Sequence, residues 1–358
     1  MKILDWYIIR NFITTLFAVL LMFAVIAVIF DISEKIDDFI EKDAPVLQIF
    51  TVYYLNFIPY LIDLISPLLI FISAVYFTSR MSFNSEILSI LASGVSFYRL
   101  LVPYLIVATV LTGISYYLKG WVIPKASDAM VQFEITYLSN PYNYGAVNIH
   151  RQVSPGNFMY LESYDNPDST GYKFTYEEFE GNELNRKVSA RMVKWEGKQQ
   201  KWLMHDWVIR NIDGLEEDVT SGDTMLIDIG IAPGDFDRKT LTIPTMTTTQ
   251  LTEFINLERM RGEERINLYI VEREKRTSVP FATFVLVIIA VAVSSRKLRG
   301  GIGTHLGFGL LIAFSYLLVL QFSSTFAVNT SFPAWIAVWI PNAMFGVLGV
   351  FLLFKAPK

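Results

Sequence analysis

The chain contains no cysteine, which removes a disulfide framework, a Cys-ligated zinc site and a thiol nucleophile from consideration. That absence does not identify a redox compartment. Histidine is scarce as well: His150, His205 and His305 are scattered, and no His-Glu-x-x-His occurs, so a zinc-hydrolase site has no ligands to build on. A Walker sequence is missing too. The nearest approach, Arg296-Lys-Leu-Arg-Gly-Gly-Ile-Gly303, runs on into Thr304, without the Lys-Ser/Thr pair that a phosphate loop requires. No nucleophile–base–acid order has useful spacing, so no catalytic residue and no metal ligand is assigned. Charged residues make up only 18% of the chain and leave a net charge of −4. That small balance says little about partners and offers no basic footprint for nucleic acid.

What is abundant is apolar sequence, 53% of 358 residues, with a mean hydropathy of +0.39. A bilayer core about 30 Å thick is crossed by roughly 20 apolar helical residues. Phe12–Phe30 contains no charge, and Leu100–Leu118, Leu306–Val328 and Ala334–Phe354 also qualify. Ile49–Phe77 is longer than needed and carries one acid, Asp63, while Val279–Val293 is short but can be extended by its flanking Ser and Thr residues. The sequence therefore predicts six spans, three before and three after a mostly polar stretch, Lys119–Ser278. Phe12–Phe30 is too long for the h-region of a signal peptide and reads as a retained anchor.

Six spans put both ends of the chain on one side. The segments on that side carry Lys2, Arg10, Arg80, Arg99, Arg296, Lys297, Arg299, Lys355 and Lys358 against only Asp5 and Glu86, whereas the opposite loop Asp31–Gln48 is strongly acidic. The positive-inside rule then makes the termini cytoplasmic and the insert external. Arg273, Lys275 and Arg276 run against this bias, but long translocated domains are largely exempt from the rule.

Between Ala146 and Ile243 short alternating runs predict strands, among them Phe158–Glu162, Tyr172–Phe179, Val188–Trp195, Trp202–Arg210 and Met225–Ile229, separated by turn signals such as Ser154-Pro-Gly-Asn157 and Asp213-Gly214. Several short strands at this spacing suggest an antiparallel sandwich or jelly roll. After Pro244 the period becomes helical: Thr247-x-x-Gln250 fits a capping box, and Ile266–Arg276 is expected to run into the fourth span. The expected division is 1–118 for three spans with the loop 78–99, 119–278 for the outer domain with a helical return over 247–276, and 279–358 for the last three spans.

The loop between spans two and three is the best candidate for mechanism. Ser82 or Asn84 is expected to cap a short helix with Glu86 in its first turn, where the helix dipole favours an acid. Ile87, Ile90 and Leu91 form one apolar stripe, Gly94 ends the helix, and a second helix begins near Ser96. Such a helix at the membrane face suits docking to a partner; the plainer alternative is an ordinary amphipathic connector. Asp63, between Pro59 and Pro67, is the one acid well inside a span, and an ionisable group at membrane depth is a functional hypothesis by default. The favoured reading is that the prolines break the helix and leave Asp63 near the interface or satisfied at a helix contact. Lys119, Lys125, Arg273, Lys275 and Arg276 lie close to the outer boundary, where they could meet lipid phosphates or anchor span ends.

Taken in order, several short motifs resemble one family. Leu4-Asp-x-Tyr7-x-x-Arg10-x-Phe12, Asn84-Ser-Glu86-Ile-Leu with Ala92-x-Gly94-x-Ser96-x-x-Arg99-Leu, Met246-Thr-x-x-Gln-Leu251, Arg276-x-x-x-Pro280-Phe-Ala, Arg299-Gly-Gly-x-Gly303 and Trp339-x-Pro341-Asn342 are similar to stretches of the LptF/LptG-type permeases of the lipopolysaccharide-export ABC transporter. The resemblance covers nearly the whole chain. It implies an α-helical membrane protein with six transmembrane helices and an inserted, all-β, jelly-roll-like periplasmic domain, residing in the bacterial inner membrane. It implies a non-catalytic permease subunit that extracts lipopolysaccharide or a related lipid and passes it to a periplasmic bridge of similar jelly rolls. The partners implied are a cytoplasmic ABC ATPase dimer, which would bind ATP and Mg, and a second permease subunit, identical or homologous. In this scheme Glu86, with Ile87, Ile90, Leu91, Gly94 and Arg99, couples to the ATPase. Lys35, Lys42 and Arg276 are the expected head-group contacts, although acids outnumber Lys35 and Lys42 in their own loop.

Two other readings compete. A mechanotransmission ABC permease would move an outer domain without conducting lipid, but it usually carries that domain after the first of four spans. A membrane-anchored periplasmic lipid-binding or sensory module would need neither six spans nor a helix-bearing cytoplasmic loop.

Overall fold

A computed structural model describes residues 3–138, 146–165, 168–181, 183–214, 216–233, 243–262, 266–296 and 301–356. The chain forms two compact units: Met1–Ser139 with Pro244–Leu251 and Asn267–Lys358, and Asn140–Ile243 with Thr252–Ile266. Among the described residues six helices are long and apolar enough to cross a membrane: α1 (Ile3–Glu41), α2 (Val46–Phe83), α4 (Phe97–Tyr137), α6 (Ile266–Ser294), α7 (Gly301–Asn329) and α8 (Ala334–Phe354). A short helix, α3 (Glu86–Ala92), separates α2 from α4, and α5 (Thr248–Met260) precedes α6.

The helices overrun the apolar segments that define them. The acidic stretch expected as a loop over 31–48 is helical to Glu41. Asp31 and Lys35 pair one turn apart at 3.1 Å, and Phe39 is buried on the same helix, so charge pairing and an apolar stripe continue the helix past the last membrane-compatible residue. Likewise 119–137 remains helical where the outer domain was expected to begin. Ile123, Met130 and Phe133 bury one face of it, and the strand-rich unit starts at Asn140. The helix α2 also runs unbroken through Pro59 and Pro67, contrary to the expected break. The departures from α geometry lie elsewhere, in π-helical turns at Ile49–Tyr54 and Leu118–Val122.

Within the helical unit α6 is the most enclosed span, while α1 and α7 are the least. Small residues let neighbours approach: a Cβ at Gly309 of α7 would stand 3.3 Å from Val75, and one at Gly349 of α8 would stand 3.3 Å from Ile289. Some buried polar groups pair between helices, which spares them a cost in lipid. Thr78 donates to Tyr104 at 3.0 Å. Asn342, a motif residue in the sixth span, accepts from Tyr316 at 3.0 Å and donates to the Ser278 carbonyl at 2.7 Å, joining α8 to α7 and α6.

The second unit is built on one six-stranded antiparallel sheet in sequential order: β1 (Ala146–Ser154), β2 (Asn157–Asp165), β3 (Thr170–Glu180), β4 (Glu183–Glu196), β5 (Lys201–Asp213) and β6 (Glu216–Ile227). The inserted, antiparallel, all-β character expected of a jelly-roll-like domain is present, and the strand order is a meander. One face carries its core, with Leu161, Phe174, Val188, Trp202 and Met204 buried among Ile229 and Ile231. The Trp202 indole donates to the Ile231 carbonyl at 2.7 Å.

Strict alternation fails along one transverse line. Leu161 and Tyr164 are both buried, as are Ala190 and Val193, and Met204 and Ile209, so the inward parity switches partway along three strands. At the switch the ladder passes from Ala190↔Trp207 to Met192↔His205, skipping Arg191 and Asp206, and from Tyr172↔Met192 to Phe174↔Ala190, skipping Lys173. Lys173 and Asp206 have φ of 51° and 52°. The register is unchanged across this line, so the parity switch comes from the local left-handed backbone and not from an inserted residue. The skipped residues are exposed; Arg191 pairs with Asp206 at 2.6 Å, and Lys173 pairs with Glu162 of β2. The hydrogen bond to Glu162 holds the Lys173 ammonium above its ordinary range.

Candidate functional site

The site is assembled at the end of the helical unit where α1 begins, α2 passes to α4, and the chain closes. Here α3 is a seven-residue helix, too short to hold its shape without tertiary packing. Ile87 is buried, and Ile90 and Leu91 are partly buried against the main helical core. Those three residues supply the anchoring face. On the other side Leu88 is 67% exposed.

The ends of α3 are set by backbone conformation. Neither Ser82 nor Asn84 caps it: the Ser82 hydroxyl donates to the Ser295 carbonyl at 3.2 Å, and Asn84 instead donates to Glu86 Oε1 at 3.4 Å. The capping position falls to Ser85, which lies at φ 62° and makes no side-chain cap bond. The helix ends as expected near Gly94, at φ 86°, a conformation that glycine adopts without steric penalty. Ser96 then accepts from the Arg99 amide at 3.3 Å and starts α4.

Glu86 sits in the first turn, half-exposed, with Tyr7 Oη donating to its Oε2 at 2.9 Å. Arg99, expected to face a partner, is held within the chain by Asp5, with Nη2 and Oδ2 2.7 Å apart. Asp5 is itself buried. Asp5 and Tyr7 stand in the opening motif of the chain, where composition and periodicity assign them no role. The signal that could have found them is their spacing: two residues apart in a helix start, they reach two different neighbours.

The other expected site residues lie toward the opposite helix ends. Lys35 does not present a bare ammonium. It is engaged by Asp31 at 3.1 Å, Glu134 at 3.2 Å and the Tyr53 hydroxyl, and Tyr54 donates to Asp31 at 3.1 Å. The π-helical turn at Ile49–Tyr54 supplies both tyrosines, a register that apolar periodicity does not reveal. Arg276 is buried, with Nη1 3.4 Å from Thr248 Oγ1. Thr248 follows Thr247 of the capping box, where Gln250 Oε1 accepts from the Thr247 amide at 2.9 Å. Of the three cations expected at head groups, only Lys42 is exposed. Asp63 is paired with Lys119 at 2.9 Å, and both side chains are largely buried.

An apolar cavity of about 610 Å³ lies near the end of α1, lined by Ile36, Ile40, Val46, Ile49 and Phe50 among others. Among the described residues no group of three His, Asp or Glu side chains could hold a metal ion. Lys297, Arg299 and Gly300 of the glycine-rich motif fall outside the described residues.

A family model described as "Lipopolysaccharide export system permease LptF/LptG" matches residues 6–355. No curated protein matches the chain.

Proposed function

The chain belongs to the lipopolysaccharide export system permease LptF/LptG family, and we propose from that membership that it is one permease subunit of an ABC transporter that extracts lipopolysaccharide or a related lipid. The observation that carries this reading is α3, a short helix at the end of a bundle whose own chain has no phosphate loop. Its underside is anchored by Ile87, its outer face offers Leu88, and Glu86 stands at its dipole-positive end. A surface of that kind suits a separate ATPase, which would hold ATP and Mg and meet Glu86 through a basic group. In this reading the chain lies in the inner membrane with α3 cytoplasmic and the sheet periplasmic.

The faces of α1 and α7 support a second, homologous or identical permease subunit. Phe17, Leu21 and Phe30 of α1, and Phe314, Leu318 and Phe322 of α7, are all exposed within the single chain, and a partner copy would complete a cavity with apolar walls for acyl chains. The head group would then meet the exposed Lys42, and the sheet would pass the lipid to bridge domains of similar build.

The test is reconstitution in proteoliposomes with the cognate ATPase, scoring ATPase binding and ATP-driven release of lipid. Glu86→Ala or Glu86→Lys is expected to weaken both. Normal ATPase association together with normal release in Glu86→Lys would overturn the reading.

A further inference from the structure

The helix α3 is attached to the bundle by more than its apolar underside. Two polar ties run to the first turns of α1: Tyr7 to Glu86 at 2.9 Å, and Asp5 to Arg99 at 2.7 Å. The first holds the N-terminal turn of α3, and the second holds the N-terminal turn of α4, which follows α3. Between and beside these ties the backbone turns through positive φ at Ser85 and again at Gly94. Each of these is a place where a short helix can swivel, because no regular hydrogen-bond ladder crosses it. A push applied to α3 would be spent at the swivels unless something rigid joined the helix to a span.

We propose that Tyr7, which ties α3 to α1, and the Asp5–Arg99 pair, which ties the start of α4 to α1, are positioning residues, so that displacement of α3 by a bound ATPase is delivered to the first span. The proposal rests on the reading of α3 as the ATPase-docking helix. The span addressed is the least enclosed in the unit, so it moves with the smallest loss of packing. Tyr7 occupies only Oε2 of Glu86. The other oxygen, held by the long contact from Asn84 at 3.4 Å, keeps acceptor capacity for a basic group of the ATPase, and one carboxylate can serve both. Asp5 is 4% exposed and directs Arg99 back into the chain, so this pair acts within the permease and not across the docking surface.

The chain has no cysteine, so Arg10→Cys with Leu88→Cys places one spin label on α1 and one on α3 with no background. In the permease alone the distance distribution is expected to be narrow, to broaden in Tyr7→Phe and in Asp5→Asn, and to narrow again in the charge-exchanged Asp5→Arg/Arg99→Asp. In the reconstituted complex, Tyr7→Phe is expected to keep the ATPase bound and hydrolysing while lipid released per ATP falls ~5-fold or more, a coupling of ordinary size. An unbroadened distribution, an unchanged ratio, or loss of ATPase binding in Tyr7→Phe would each overturn the proposal. Failure of the exchange to restore Asp5→Asn would do the same for that pair. Tyr7 is 42% exposed, so Tyr7→Phe decides the matter even if the Asp5 variants do not assemble. If the ATPase fails to bind the unaltered chain, the docking reading falls, and the label distances in the isolated permease still decide the tie.

Discussion

Lys119 of α4 reaches Asp63 of α2 across 2.9 Å, with both side chains nearly enclosed. The π-helical turn at Leu118–Val122 contains the lysine, so a change of helical register brings a cation to the acid that sits between two prolines. Removing either partner strands the other in a poorly hydrated place. Asp63→Ala or Lys119→Ala is expected to cost about 3 kcal/mol, whereas Asp63→Ala with Lys119→Ala together should cost well under the sum of the two. Thermal unfolding in detergent measures the cycle, and a double-variant loss equal to the sum of the two single losses would show that the pair is not coupled.

Ser85 holds the entry to α3 at φ 62° without a side-chain cap bond. Glycine accepts that conformation and a β-branched residue does not. Ser85→Gly should therefore leave ATPase association unchanged, while Ser85→Val should shift α3 and weaken it. The backbone penalty for valine is about 1–2 kcal/mol, enough for roughly a tenfold loss in co-purification titrations.

Gly156 closes the β1–β2 hairpin at φ 83°, and a Cβ there would stand 2.6 Å from the Phe179 carbonyl oxygen. Strain and a clash with backbone add, so Gly156→Ala is expected to destabilise the sheet by at least about 2 kcal/mol. Limited proteolysis of the full chain should show earlier cleavage within 146–227, with the spans still protected.

Asn342 links three spans through Tyr316 and the Ser278 carbonyl. Hydrogen bonds of this kind between membrane helices contribute about 0.6–2 kcal/mol each. Asn342→Leu should lower the melting temperature by more than Tyr316→Phe, which removes only one of the two bonds. Differential scanning fluorimetry of the purified chain distinguishes the two.

Much of this architecture was legible in one sequence because lipid imposes a simple rule. A run such as Phe12–Phe30 can satisfy its backbone only as a helix, and the alternation from Phe158 to Glu162 suits only a half-buried strand. The stripe Ile87, Ile90 and Leu91 was readable for the same reason, since helical period and burial coincide there. Where spans end was less legible, because Lys35 pairs with Asp31 one turn away and with Glu134 on another helix, which keeps charged sequence helical beyond the membrane-compatible run.

The amino-acid sequence by itself determined the spans, the inserted sheet, the absence of a phosphate loop and the place of Glu86, since each follows from local composition and periodicity. Tertiary structure decided which charges are already spoken for: Arg99 by Asp5, Lys35 by Asp31 and Glu134, and Lys119 by Asp63. Partners 94, 99 or 56 residues apart leave no periodic trace, because a long-range pair depends on how helices pack and turn in register, and local sequence does not encode that geometry.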